Sequence, residues 1–154
     1  MAASFFQMHG LIIDRLRDVF AGKIKIEPMV PDSEEIQKRI IGISPVIYVY
    51  YGGYLPGDGA GKESSKIIKQ IWTVVLVIRN YQNKPSENNA IQEADIYTDT
   101  LISSLLGWQA LNETNAYTHG ALELVQAPPP IISKGAILFP FSFQTTYPLS
   151  NTFI

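Results

Sequence analysis

The sequence predicts an α+β domain in which two main helices pack on a largely antiparallel or mixed β-sheet that contains a long β-hairpin. Three observations carry that reading. The run 70–81, QIWTVVLVIRNY, is apolar on both faces over most of its length. Alternate residues of a strand point to opposite sides, so Ile71, Val75 and Val77 share one face and Trp72, Val74, Leu76 and Ile78 the other. Two stretches, 5–20 and 90–106, repeat apolar residues at helical spacing. A second strand-like run, PVIYVYY at 45–51, is joined to the first by a glycine-rich charged loop, which makes the pair a hairpin.

A strand that is apolar on both sides needs cover on both. The two helices supply one layer. A chain of 154 residues has little left to build another, which leaves neighbouring subunits as a candidate source of the second layer.

The first helix, 5–20, places Phe5, Phe6, His9, Ile12, Ile13, Leu16, Val19 and Phe20 near one face. Ser4 with Gln7 three residues on reads as a capping box, and Gly22 reads as the stop. Gly10 in its interior costs roughly 1 kcal/mol against Ala and suggests a close packing contact. Lys23 to Glu27 alternates as a short strand, after which Pro31, Asp32 and Ser33 open a brief helix ending at Gly42. Gly52 and Gly53 interrupt the 45–51 strand, and Leu55 to Ser65 is the loop that leads into the central strand. After the polar turn 82–89, the second helix runs from Ala90 to Leu106 through Ile91, Ala94, Tyr97, Leu101, Ile102 and Leu105, closed by Gly107. Strands 120–126 and 136–146 complete the sheet, separated by Pro128 to Pro130, which is too stiff for a tight turn. In the last strand Ile137, Phe139, Phe141 and Phe143 share a face. Pro140 has no N–H for a ladder bond, which predicts a sheet edge or a bulge there.

Length and pattern fit a single domain over 1–154. With no cysteine in the chain, disulfides, thiolate zinc sites and cysteine nucleophiles are impossible. The N-terminus lacks a basic start and carries Arg15, Arg17 and Asp18 within its apolar stretch, which is wrong for a signal peptide or a membrane span. The expectation is a chain made in the cytoplasm, with no membrane partner. Lys plus Arg number 12 against 14 for Asp plus Glu, and neither sign forms a run, so tight nucleic-acid binding has no electrostatic basis.

The search for catalytic chemistry finds no constellation. Pro56 to Lys62, PGDGAGK, ends like a phosphate-binding loop. It has Pro56 where the motif needs Gly and Glu63 where it needs Ser or Thr, and it leads into a strand instead of a helix. Neither His9 nor His119 sits at a ligand spacing from another His; His9 reads as a helix-face residue and His119 as part of a surface turn. Glu93 and Asp95 point to different sides of their helix and, with Asp99, read as a solvated face. The expectation is therefore no enzyme, no cofactor and no metal. The aromatics allow two readings, sheet filling or subunit contact, since Tyr brings large contact area with a polar tip. The candidate interface residues are Tyr48, Tyr50, Tyr54, Leu55, Lys62, Phe139, Phe141 and Phe143. The 55–65 loop is expected to touch a neighbouring protein.

Several blocks, in order, resemble a known family. LIIDRLRDVF, SPVIYVYYGGY, QIWTVVLVIRNY, AIQEADIYTDTLISSLLGWQ and a late Phe-rich strand are similar to the tail terminator, or tail completion, proteins of contractile-tailed, Mu-like phages. The resemblance spans nearly the whole chain. Its most specific pieces are the Gln70-x-Trp72 strand with Arg79-Asn80, the helix carrying Glu93-Ala94, and Leu106-Gly107-Trp108. The family often has Gly after Glu-Ala, where this chain has Asp95. The resemblance implies a structural virion protein forming a homo-oligomeric, hexameric ring on the head-proximal end of the tail tube. Such a ring halts tube growth and presents a surface to the head or neck. The implied partners are the tail tube protein and a head or neck connector, with sheath contact left open, and DNA crosses the ring without specific binding. A neck or head-completion subunit is the nearest alternative; a small nucleotide-binding protein or enzyme is the alternative from another class.

Overall fold

The computed structural model describes residues 5–28, 45–56, 67–79, 87–111, 119–133 and 136–149. In chain order these form α1 (Gln7–Phe20), β1 (Lys25–Pro28), β2 (Val46–Pro56), β3 (Ile67–Arg79), α2 (Glu87–Leu105), β4 (Glu123–Val125), β5 (Ile131–Ser133) and β6 (Ala136–Pro148). The expected brief helix after Pro31 and residues 57–65 of the expected loop, Lys62 among them, lie outside the described residues.

The strands form one mixed sheet in the order β1-β2-β3-β6-β4, with β5 also paired to β6. At its centre β3 runs antiparallel to β2, from Val46↔Val77 to Pro56↔Ile68. It also runs antiparallel to β6, from Ile67↔Pro148 to Arg79↔Ala136. The expected long hairpin is thus β2–β3, and the helices pack on the sheet, which makes the domain α+β. The mixed character comes from β1, which lies parallel to β2.

One face of the sheet joins the helices in a single core. Ile47, Val49, Trp72, Val74, Leu76, Ile78, Ile137 and Phe143 meet Met8, Ile12, Ile13, Leu16 and Phe20 of α1 and Ala90, Ala94, Leu101 and Leu105 of α2. The opposite face has a smaller cluster of Val46, Tyr48, Val75, Val77, Ala136 and Leu138. Val75 and Val77 are 4% and 0% exposed, so at this end of the sheet the chain buries the second face of β3 by itself. The expectation that these positions wait for another subunit is corrected here.

Other elements depart from the sequence reading for identifiable reasons. Helix α1 begins at Gln7 with Phe6 as N-cap and no capping side chain; Ser4 of the expected capping box lies outside the described residues. Gly10 is exposed, and a Cβ there would meet nothing within 4 Å; it marks no packing contact. In α2 the inward stripe starts at Ala90, and Ile91 is exposed. Gly52 and Gly53 do not end β2 but form a bulge within it. The register shifts between Tyr51 and Gly53, Gly53 takes φ of 102°, and a Cβ on Gly52 would lie 3.0 Å from both Ile71 Cγ2 and Thr73 Oγ1. Such a kink with an extra residue is what glycine permits. Nor is β6 an edge strand: β3 lines one side, while β4 pairs with 142–144 and β5 with 136–138 on the other. Pro140 stands opposite the gap between those two short strands, where no second neighbour needs its N–H.

The double burial of β3 has a measurable consequence. Leu76 is fully buried, so Leu76→Ala is expected to lower the unfolding free energy by about 2–5 kcal/mol in urea titration. Ile96, in mid-helix but 68% exposed, should change it by less than about 0.5 kcal/mol when truncated to Ala.

Candidate assembly interface

The most densely stitched part of the molecule lies where α1 begins over the far end of the β2–β3 hairpin. Burying an amide costs free energy unless its hydrogen bonds are replaced, and Gln70, fully buried on the helix-side face, has both ends engaged. Its Oε1 accepts from Trp72 Nε1 at 3.3 Å, and its Nε2 donates to the Phe5 carbonyl at 2.6 Å. One turn into α1, His9 stacks on the Trp72 ring at 5.7 Å. Its Nε2 donates to the Val49 carbonyl at 3.0 Å. These bonds fix where residues 5 and 6 lie on the sheet.

Aromatic rings then close around that anchor. Phe5 meets Phe6, Tyr147 and Tyr51 edge-on at 4.8, 5.4 and 6.2 Å, and Phe6 meets Tyr51 at 5.1 Å, the arrangement that ring quadrupoles favour. On the far side, His119 packs on Tyr147 at 4.8 Å and is only 2% exposed. The expected surface turn is therefore a buried one. It is tied to β6 by Gly120 N–H donating to the Thr146 carbonyl at 2.9 Å and by Thr145 Oγ1 donating to the Gly120 carbonyl. Gln109 Nε2 donates to the His119 carbonyl at 3.0 Å. Burial pushes the His119 imidazole down to about 4, and a hydrogen bond with the Phe5 backbone pulls the other way.

This rigid end of the sheet exposes apolar side chains. Phe6, Tyr54, Leu55, Ile67 and Leu149 each leave between 42% and 63% of their surface accessible. The pairings Leu55↔Lys69, Pro56↔Ile68 and Ile67↔Pro148 place Leu55, Ile67 and Leu149 around the same end of β2, β3 and β6. The register sets Tyr54 opposite Gln70 on the helix-side face and Leu55 opposite Lys69 on the other, so these exposed side chains ring the end of the sheet on both of its faces and are the candidates for a contact surface. Of the interface residues expected from sequence, Tyr54 and Leu55 belong to it. Tyr48 is buried in the second-face cluster with Tyr50 half-buried at its rim. Phe143 is wholly inside the main core, and Phe139 and Phe141 pack half-buried against it. Sequence reading missed Phe6, assigned to the inner helix face, and Ile67 and Leu149, which flank segments read as loop or terminus.

Elsewhere the surface offers little chemistry. A shallow groove of about 400 Å³ between the helices is lined by Arg15, Val19, Asp99, Thr100, Ser103 and Ser104. Its guanidinium lies over the Trp108 ring at 5.5 Å, and Arg15 Nε donates to the Ser104 carbonyl at 3.2 Å, so the cation serves to pin the helices together. Asp95 and Asp99 are exposed and Glu93 is half-buried. Among the described residues no three His, Asp or Glu side chains converge as a metal site would require, and no helix is long and apolar enough to cross a membrane.

In comparison with known proteins, the family model described as phage tail terminator protein matches residues 1–152. None of the curated proteins matches the chain.

The buried imidazole makes the anchor sensitive to acid. His119 titrates near 6.5 when unfolded and near 4 when folded. The unfolded chain therefore takes up its proton first, and this contribution to stability is intact above about pH 6.5 and is lost as pH falls from there toward 4. Urea midpoints across that range should fall for the natural chain and fall less for His119→Gln.

Proposed function

The chain belongs to the phage tail terminator family, a family of structural tail proteins, and we infer that it assembles as a closed ring on the head-proximal end of a tail tube. There it stops tube polymerisation and presents the attachment surface for the head or neck. The observation that carries this reading is the apolar end of the sheet. Five large apolar side chains, Phe6, Tyr54, Leu55, Ile67 and Leu149, stand exposed on a base held by the Gln70–Phe5 and His9–Val49 hydrogen bonds. Contact surfaces held rigid before assembly lose less conformational freedom when they dock.

A ring of like subunits needs head-to-tail contacts, because a self-complementary patch closes as a dimer. Six subunits is the number the family resemblance implies. On this reading the tail tube protein binds one face of the ring, the head or neck connector the other, and the finished protein is a virion component assembled in the host cytoplasm. With 12 basic against 14 acidic side chains, the ring has no strong field to hold DNA passing through it.

The test uses purified protein and tail tubes. Tyr54→Asp with Leu55→Asp should leave circular dichroism unchanged, because both positions are exposed, and should yield overlong tubes in electron micrographs where the natural protein yields tubes of one length. A doubly substituted protein that still caps tubes at normal length overturns the role given to this surface. A natural protein that binds heads and ignores tubes identifies a connector subunit instead.

A further inference from the structure

We propose that His119 is a proton-operated catch on the Phe5–Phe6 segment: when its imidazole takes up a proton, these two residues leave the end of the sheet while the rest of α1 and the sheet stay folded. The catch belongs to the fold of the single chain and does not depend on ring formation.

The segment has little of its own to hold it. Helix α1 starts after Phe6 with no capping side chain, and the His9 N–H donates to the Phe6 carbonyl at 3.1 Å. The firmer attachments come from remote elements. Gln70 of β3 donates to the Phe5 carbonyl, His119 makes a hydrogen bond with the Phe5 backbone, and the Tyr147 ring of β6 lies against both Phe5 and His119. Met8, the second residue of α1, is fully buried, so a release that begins at Phe5 stops at the helix.

A protonated His119 has no counter-charge in this place. From β6 the titratable side chain that faces it is the phenol of Tyr147. Phe5 offers backbone, and Gln109 and Gly120 of the adjoining segment are uncharged. Gln70 of β3 faces the same side of the sheet, whereas Lys69, its neighbour in the strand, faces the other. Glu123 of β4 is exposed and bonded to Gln144, also on that other side. His9 of α1 is stacked on Trp72 and bonded to the Val49 carbonyl. Burial therefore decides, and it holds the ring neutral down to about pH 4 against the pull of the Phe5 bond.

Moving the segment away uncovers the ring, and water then stabilises the imidazolium. With the closed form titrating near 4 and the open form near 6.5, opening is favoured about tenfold per pH unit as pH falls through that interval, about 300-fold in all. Phe6 belongs to the exposed apolar end of the sheet, so acid withdraws it from that surface before the fold itself is lost.

Hydrogen exchange of the isolated chain, read residue by residue in NMR spectra, tests the catch. The His9 amide, whose bond to Phe6 breaks on release, should lose protection about tenfold per pH unit between pH 6.5 and 4. It should not respond to low urea, because a local opening exposes little surface. The Leu76 amide should exchange through global unfolding and respond to urea. The pH slope at His9 should vanish in His119→Gln and persist in His9→Gln. Three results overturn the catch: a His119 ring resonance titrating near 6.5 in the folded chain, a His9 amide with the protection and urea response of Leu76, or an undiminished slope in His119→Gln. If His119→Gln does not fold, the ring titration and the urea response of the natural chain decide alone.

Discussion

Burial of β3 from every direction organises the rest of the molecule. Its backbone is paired along both edges, by β2 and by β6, and its side chains are enclosed above and below from Trp72 to Ile78. Removing such a strand from water on both faces is a large apolar transfer. It requires long neighbours on either side, which is why β2 and β6 extend over 11 and 13 residues while the outer strands are short. The helices follow from the same requirement. Each buries one stripe against Trp72, Val74, Leu76 and Ile78, and their outer faces remain polar with scattered apolar residues.

At one end of β3 this logic changes from apolar to polar, and there the candidate site arises. Gln70 continues the buried face that Trp72 begins, so its amide has to be satisfied inside the protein. Satisfying it draws the Phe5 carbonyl down onto the sheet. The position of Phe5 in turn determines where Phe6 emerges, beside Tyr51. A substitution that removed the amide would leave the buried Trp72 Nε1 with an unmade hydrogen bond, a cost of about 1–3 kcal/mol, and would take from Phe5 the bond that ties it to β3. The exposed patch thus depends on a buried residue that never reaches the surface.

The sequence carries the centre of this fold more legibly than its periphery. Both faces of β3, the hairpin and the inner stripe of α1 are written in periods of two and three or four residues, and these recur in the structure almost position for position. Short strands escape such reading: Ile131 to Ser133 is too brief to show a period. Gly52 and Gly53 signal an interruption of β2, but glycine has the same local signature at a bulge and at a strand end, and only the pairing that continues to Pro56 identifies the bulge. His119 reads as a surface turn beside Gly120. Its burial comes from Tyr147 and Phe5, residues remote in sequence, and no local pattern reports them. The candidate site was legible only at Tyr54 and Leu55, because exposure at an end of a sheet depends on where the helices stop covering it.

An open sheet carries a particular hazard, since its edges can pair with any other edge and polymerise without limit. Here each edge is limited in a different way. On one side β1 spans Lys25–Pro28, ends in proline, carries a Lys25–Glu27 ion pair at 3.3 Å, and has its Ile26 carbonyl occupied by an Arg17 guanidinium at 3.1 Å. The ion pair is exposed and adds little to stability, but charge along an edge discourages strand addition. On the other side the flank of β6 is divided between two strands of three residues each, separated by Pro128 to Pro130, with Pro140 opposite the gap. Among the described residues neither edge offers a continuous ladder of free backbone groups. In the ring proposed above, association would therefore run through side-chain surfaces of defined shape, which can fix a rotation between neighbours in a way that sliding backbone ladders cannot. A fixed rotation is the geometric condition for a ring that closes instead of a fibre that grows.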